Sequence, residues 1–118
     1  MDYNRLAELC LPGIDKTPDY WEKQFPAREL KKGAQVTRLA PSPTGFIHLG
    51  NLYGALADER IAHQSGGTFY LRIEDTDAKR EVEGAVDIII NVLRYFGIEF
   101  DEGAGIDNPE INKYGPYF

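Results

Sequence analysis

Hydrophobic positions change their rhythm along the chain, and the changes mark its elements. Val36 to Ala40 is a short strand candidate, stopped by Pro41 and Pro43, which cannot donate to a sheet ladder. From about His48 to Gln64, Leu49, Leu52, Tyr53, Leu56 and Ala57 recur at helical spacing, and Gly66-Gly67 breaks the run. Thr68 to Ile73 alternates, with Phe69, Leu71 and Ile73 on one side and Thr68, Tyr70 and Arg72 on the other, which predicts a second strand. Val82, Ala85, Val86, Ile89, Leu93 and Phe96 then repeat at three and four. That spacing outweighs the β-leaning run Ile88-Ile89-Ile90 and predicts a helix ending at Gly97. The rest is turn-rich, with Gly103, Gly105, Asn108-Pro109 and Gly115-Pro116.

Residues 1–35 follow neither rhythm for long. Asp2 to Leu11 is a short amphipathic candidate, after which Pro12-Gly13, Thr17-Pro18 and Phe25-Pro26 punctuate a stretch holding Tyr20, Trp21 and Phe25. This reads as an N-terminal extension that packs against a domain. The division expected is therefore an extension over 1–35 and an α/β unit over 36–118. Strands alternating with helices imply βαβ units, a parallel sheet and right-handed crossovers. In such sheets ligands bind beyond the carboxyl ends of the strands. Those ends carry Arg38 to Thr44 and Arg72 to Asp77, the most polar stretches of the unit.

Composition narrows the class. With 118 residues, 42% hydrophobic and 27% charged, the chain can bury one core. No stretch approaches the ~18 consecutive apolar residues of a membrane span, and the polar start lacks a signal-peptide core, so a cytoplasmic compartment is expected. Cys10 stands alone, which excludes an internal disulfide or a cysteine-cluster zinc site. Its Leu-Cys-Leu setting predicts a packing role. The net charge of −6 argues against strong nucleic-acid binding by this piece. Residues 36–118 hold thirteen acidic and seven basic side chains, so the acidic part is also the part with the motifs.

Thr44-Gly45-Phe46-Ile47-His48-Leu49-Gly50-Asn51 lies between strand and helix, where free N–H groups and the helix dipole favour phosphate. Gly45 and Gly50 remove side chains where a triphosphate or a backbone must come close, and His48 can donate to a phosphate oxygen. By itself the triplet His48-Leu49-Gly50 also fits an ordinary capping loop. The longer run Val36-Thr37-Arg38-Leu39-Ala40-Pro41-Ser42-Pro43-Thr44-Gly45-Phe46-Ile47-His48-Leu49-Gly50 is more specific, and Leu71-Arg72-Ile73-Glu74-Asp75-Thr76-Asp77 follows at a helix's distance.

Together these two runs resemble the first and second signatures of glutamyl-tRNA synthetases, class I enzymes, over about residues 36–118. The resemblance implies a Rossmann-like parallel sheet, of which this chain would hold the N-terminal, truncated part. It implies ATP-dependent activation of glutamate to glutamyl-adenylate, then transfer to the terminal ribose of tRNA. The partners implied are glutamate, ATP with Mg2+ as substrate, and tRNA in the full-length enzyme, with little tRNA binding by this segment. No structural metal is expected.

Residue by residue, the resemblance assigns Arg38, Ala40 and Ser42 to the glutamate pocket and Glu74 to the substrate's α-amino group. The chemistry agrees, since guanidinium suits a carboxylate and a carboxylate suits an ammonium. Thr44, His48, Gly50 and Asn51 match ATP-holding positions, with Thr44 and His48 as the candidate catalytic pair. Asn51 departs from the class I motif, where a second histidine stands, but an asparagine still donates. Asp75 and Asp77, just before Lys79-Arg80, read better as helix caps and local ion pairs than as a metal site. For His63 the reading is a favourable contact with the helix dipole.

The lysine-rich second ATP motif of the family is absent here, where the one methionine is Met1 and the one late lysine is Lys113. The expectation is thus a fragment, inactive alone. Two alternatives remain: a glutamyl-queuosine tRNA synthetase homologue, and a nucleotide-binding module without catalysis. A glutaminyl enzyme fits Pro-Ser-Pro-Thr-Gly and Arg-Ile-Glu-Asp-Thr-Asp less well.

Overall fold

The structure is a computed structural model and describes residues 2–44, 46–74 and 82–118. The stretch before residue 36 carries two helices, α1 (Tyr3–Cys10) and α2 (Pro18–Gln24). In the rest, β1 (Val36–Leu39), α3 (Leu49–Ser65), β2 (Thr68–Leu71) and α4 (Ala85–Tyr95) alternate as predicted, and a further strand, β3 (Glu102–Gly103), follows. The three strands form one parallel sheet in the order β1-β2-β3, with β2 in the centre. Val36 pairs with Thr68 and Leu39 with Leu71, while Tyr70 and Leu71 pair with Glu102 and Gly103.

One cluster of Leu39, Phe69, Leu71 and Ile73 from the sheet side with Ala55 and Ala62 of α3 and Ile89, Ile90 and Leu93 of α4 makes the core. The alternation read in Thr68 to Ile73 is correct, since Phe69, Leu71 and Ile73 are all buried. The helix expected over α3 is present, and alanines lead its inward face. Leu49 and Tyr53 are 79% and 75% exposed, and the buried face is Ala55, Glu59 and Ala62. Small alanines let the helix axis approach the sheet, and the Thr37 hydroxyl fixes it there by donating to the Asp58 carbonyl at 2.7 Å. Spacing identified a helix; side-chain size decided which face turned inward. Leu49, Leu52, Tyr53 and Leu56 join Phe96 and Ile98 in lining an apolar groove of about 200 Å3.

Strand β3 escaped the sequence reading because two residues, Glu102 and Gly103, carry no alternation. Gly103 is required there: its φ is +132°, and a Cβ would lie 2.2 Å from the Leu71 carbonyl oxygen. Gly67 is required at the other end of β2, where a Cβ would lie 1.8 Å from the Gln35 carbonyl oxygen. The turns beyond β3 are tied back by Asn112, which accepts from the Gly103 N–H at 2.8 Å and donates to the Gly103 carbonyl at 2.9 Å.

Helix α1 begins where Asp2 accepts from the N–H groups of Asn4 and Arg5. Neither α1 nor α2 buries a residue. Tyr20, Trp21 and Phe25 pack on one another, with centroids 5.1 and 6.0 Å apart. Cys10 is exposed, which corrects its assignment as a packing residue: among the described residues no surface buries the amphipathic stripe of α1. The extension meets the sheet through Arg28, which pairs with Glu102 at 2.5 Å. The helix caps and ion pairs expected of Asp75 and Asp77 with Lys79 and Arg80 lie outside the described residues, as does Gly45.

His63 has more than a dipole to meet. Its Nε2 lies 3.0 Å from Asp101 Oδ2 and its Nδ1 3.2 Å from Glu59 Oε1, bridging α3 to the loop before β3. Burial pushes its pKa down, but the hydrogen bonds and charges of Asp101 and Glu59 push it up further, leaving it raised above 6.5. A raised folded-state pKa means that the charged imidazole stabilises the fold. That contribution is full below about pH 6.5 and is lost as pH rises through the folded value. His63→Gln should therefore cost on the order of 0.5–1 kcal/mol at pH 6 and little at pH 8.5. Urea unfolding at both pH values checks this, and an equal loss at each would contradict it.

Candidate functional site

Strands β1 and β2 end side by side, and the chain leaving them stays paired. The N–H of Arg72 donates to the Leu39 carbonyl at 3.0 Å, and that of Glu74 to the Pro41 carbonyl at 3.1 Å. Pro41 has no N–H of its own, so at that position the chain can only accept, and the chain leaving β2 supplies the donor. This brings Arg38 and Glu74 together at the carboxyl end of the sheet, with Nη1 3.1 Å from Oε1. The two side chains remain 47% and 40% exposed, so solvent screens the pair and it contributes at most about 1 kcal/mol to stability.

Beyond β1 a cleft of about 300 Å3 opens, lined by Ala40, Pro41, Ser42, Thr44, Phe46, Ile47, His48 and Asn51. Five of the predicted site residues, Ala40, Ser42, Thr44, His48 and Asn51, thus share one cavity. Arg38 and Glu74 do not line it, but Pro41, which does, accepts the Glu74 N–H, so pair and cleft share a wall. Phe46 and Ile47 were not singled out from sequence. Their apolar side chains beside the motif were the available signal.

His48 stands at the N-cap of α3, in extended backbone, and its carbonyl accepts from the N–H groups of Asn51 and Leu52 at 2.9 and 3.2 Å. Asn51 Oδ1 accepts from the His48 N–H at 3.4 Å, which leaves its NH2 as the donor half of the amide. The cleft therefore presents an imidazole, an amide, two hydroxyls and the positive end of a 17-residue helix. That donor set suits an anion.

Gly50 lies outside the cleft lining. A Cβ there would meet only the His48 ring, at 3.6 Å, which is ordinary contact. Nothing within the described residues requires glycine at this place. Among them, no group of three or more His, Cys, Asp or Glu side chains is gathered as for a metal ion, and no helix is long and apolar enough to cross a membrane.

A parallel βαβαβ sheet with polar groups gathered at its strand ends defines an α/β class of protein in which ligands sit beyond the carboxyl ends of the strands. The family described as tRNA synthetases class I (E and Q), catalytic domain, matches residues 35–117, and the chain belongs to it. It is 66% identical over 119 aligned residues to the glutamate–tRNA ligase of Acetivibrio thermocellus, covering all of this chain and 22% of that protein. It is 57% identical to the glutamate–tRNA ligase of Clostridium perfringens strain 13, covering 99% of this chain and 21% of that protein. The crystal structure of a glutamate tRNA ligase from Elizabethkingia meningosepticum, in complex with its amino acid, superposes with a TM-score of 0.63 at 42% identity, covering 73% of this chain and 16% of that one. The chain spans about a fifth of the length of the curated relatives it matches.

Because the fold tolerates a side chain at position 50, Gly50→Ala separates folding from binding. It should leave stability unchanged or raise it by up to about 1 kcal/mol, through better helix propensity. ATP affinity, measured by calorimetric titration, should nevertheless fall if a phosphate approaches that backbone. Unchanged ATP affinity would remove Gly50 from the site.

Proposed function

We propose that this chain supplies the first half of the site at which a glutamate–tRNA ligase activates glutamate with ATP and passes it to tRNA. Residues 1–35 are an extension, and residues 36–118 are the N-terminal part of the catalytic domain. The observation that carries the reading is the Arg38–Glu74 pair at the strand ends, sharing a wall with the His48 cleft. An amino acid with an acidic side chain is the complement of that pair: its carboxylate can take Arg38, and its ammonium can take Glu74. The two protein charges hold each other in the free chain and exchange partners when substrate arrives. Ala40 and Ser42 then border the amino-acid pocket.

Thr44, His48, Gly50 and Asn51 hold ATP, with magnesium entering as part of that substrate. The α-carboxylate of glutamate attacks the α-phosphorus, the bond to the bridging oxygen breaks, and pyrophosphate leaves. A ribose hydroxyl of tRNA then takes the acyl group from the adenylate and releases AMP. No protein nucleophile is needed. His48 and Thr44 donate to phosphate oxygens as their charge grows, and the end of α3 adds its dipole. The acidic net charge of this segment leaves most of the tRNA grip to other parts of a ligase, whose compartment is the cytoplasm.

Two substitutions in a full-length ligase carrying this sequence divide the labour. Arg38→Leu should weaken glutamate binding by about 1.5–3 kcal/mol, the worth of a hydrogen bond to a charged group, while ATP binding holds. Unchanged glutamate affinity would sink the assignment. His48→Ala should slow glutamate-dependent ATP–pyrophosphate exchange by about 10²–10³-fold with little change in ground-state ATP binding. A loss confined to ATP affinity would make His48 an anchor only.

A further inference from the structure

The face of the sheet opposite the core carries a second polar assembly. Arg38, Tyr70 and Glu102 pair across the three strands and so share one face. Over it lies Arg28, from the extension, with its guanidinium 5.5 Å from the Tyr70 ring centroid and 4.2 Å from that of Tyr114. Arg28 Nη2 and the Tyr117 hydroxyl both donate to Glu102 Oε2, each at 2.5 Å. The Tyr117 ring packs on Tyr70 with centroids 5.7 Å apart. Glu102 and Tyr117 are 8% and 6% exposed. The carboxylate would be an uncompensated buried charge without its two donors.

The assembly reaches the site through the backbone. The Tyr117 carbonyl accepts the N–H of Ile73 at 2.8 Å, next to Glu74, whose own N–H goes to Pro41 at 3.1 Å. The end of β2 is thereby gripped from both sides, by the segment after β1 and by the segment that Arg28 and Glu102 hold in place. We infer that Arg28, through Glu102 and Tyr117, is a positioning residue for Glu74, because this chain of contacts fixes the backbone from which Glu74 reaches Arg38. It touches no substrate. The inference rests on the reading of Arg38 and Glu74 as the amino-acid pair.

The test uses glutamate-dependent ATP–pyrophosphate exchange, with tRNA present throughout, by a full-length ligase carrying this sequence. Arg28→Met should raise the KM for glutamate about five- to twenty-fold, with the KM for ATP changed less than twofold. Tyr117→Phe, a milder change that removes only the hydroxyl, should raise it about two- to fourfold, and Arg28→Lys should recover part of the Arg28→Met loss. The double variant Arg28→Met with Glu102→Gln removes the unpaired charge without restoring the strap. Its glutamate KM should stay high even if its melting temperature recovers. Should Arg28→Met not fold, Tyr117→Phe and Arg28→Lys decide the matter. An unchanged glutamate KM in the folded variants, equal losses for ATP and glutamate, or full recovery in the double variant would overturn the inference. A wild-type ligase without glutamate-dependent exchange would instead overturn the functional reading beneath it.

Discussion

Everything at the site depends on β2 being paired in parallel on both sides. Parallel pairing sends the chain out of β1 and β2 at the same end of the sheet, so residues far apart in sequence leave their strands as neighbours. Arg38 meets Glu74 for that reason alone. The close approach of backbones at Gly67 and Gly103, one on each flank of β2, keeps the register that puts them level. A slip of one residue would turn Arg38 inward and Leu39 out.

The electrostatics of the pair follow from where it sits. Exposed at the end of a sheet, it is too well screened to be a structural bond of much strength, yet it keeps two opposite charges aligned without a desolvation penalty. Such a pair is easily parted by a ligand that offers both charges at once. The buried Glu102 differs in each respect: it is enclosed, holds two donors, and pushes the Tyr117 hydroxyl up to about 12, burial acting first and the carboxylate second against the opposing pull of Arg28.

How much of this could be read from the sequence varied with the physics involved. The alternation in Thr68 to Ile73 reports burial directly, and it placed the central strand and its inner face correctly. The spacing in α3 reported a helix but not which face turns inward, because a stripe of large apolar residues is informative only where the partner surface demands size, and this sheet demanded alanine. The run from Arg38 to Asn51 placed five residues around one cleft, since a contiguous loop keeps its members close whatever the packing. Arg28, Glu102 and Tyr117 could not be found that way. Each is ordinary in its own neighbourhood, and only tertiary pairing across 74 positions between Arg28 and Glu102 gives them a common role. Cys10 and the helices around it show the converse, an amphipathic pattern with no surface in the described residues to answer it.

The span closed by Arg28 also sets an order of events in time. Loop closure costs about 0.6 kcal/mol more for each doubling of the loop, so the local βαβ pairings close more cheaply than the contact between Arg28 and Glu102. The sheet must already hold Tyr70 beside Glu102 before a guanidinium can settle over both. On a ribosome, the extension is made first and its anchor is used last, after Tyr117 has emerged. Docking of Arg28 is then the late step of assembly for this segment, and a chain lacking Tyr117 would pair its strands before anything held the backbone beside Glu74 from that side.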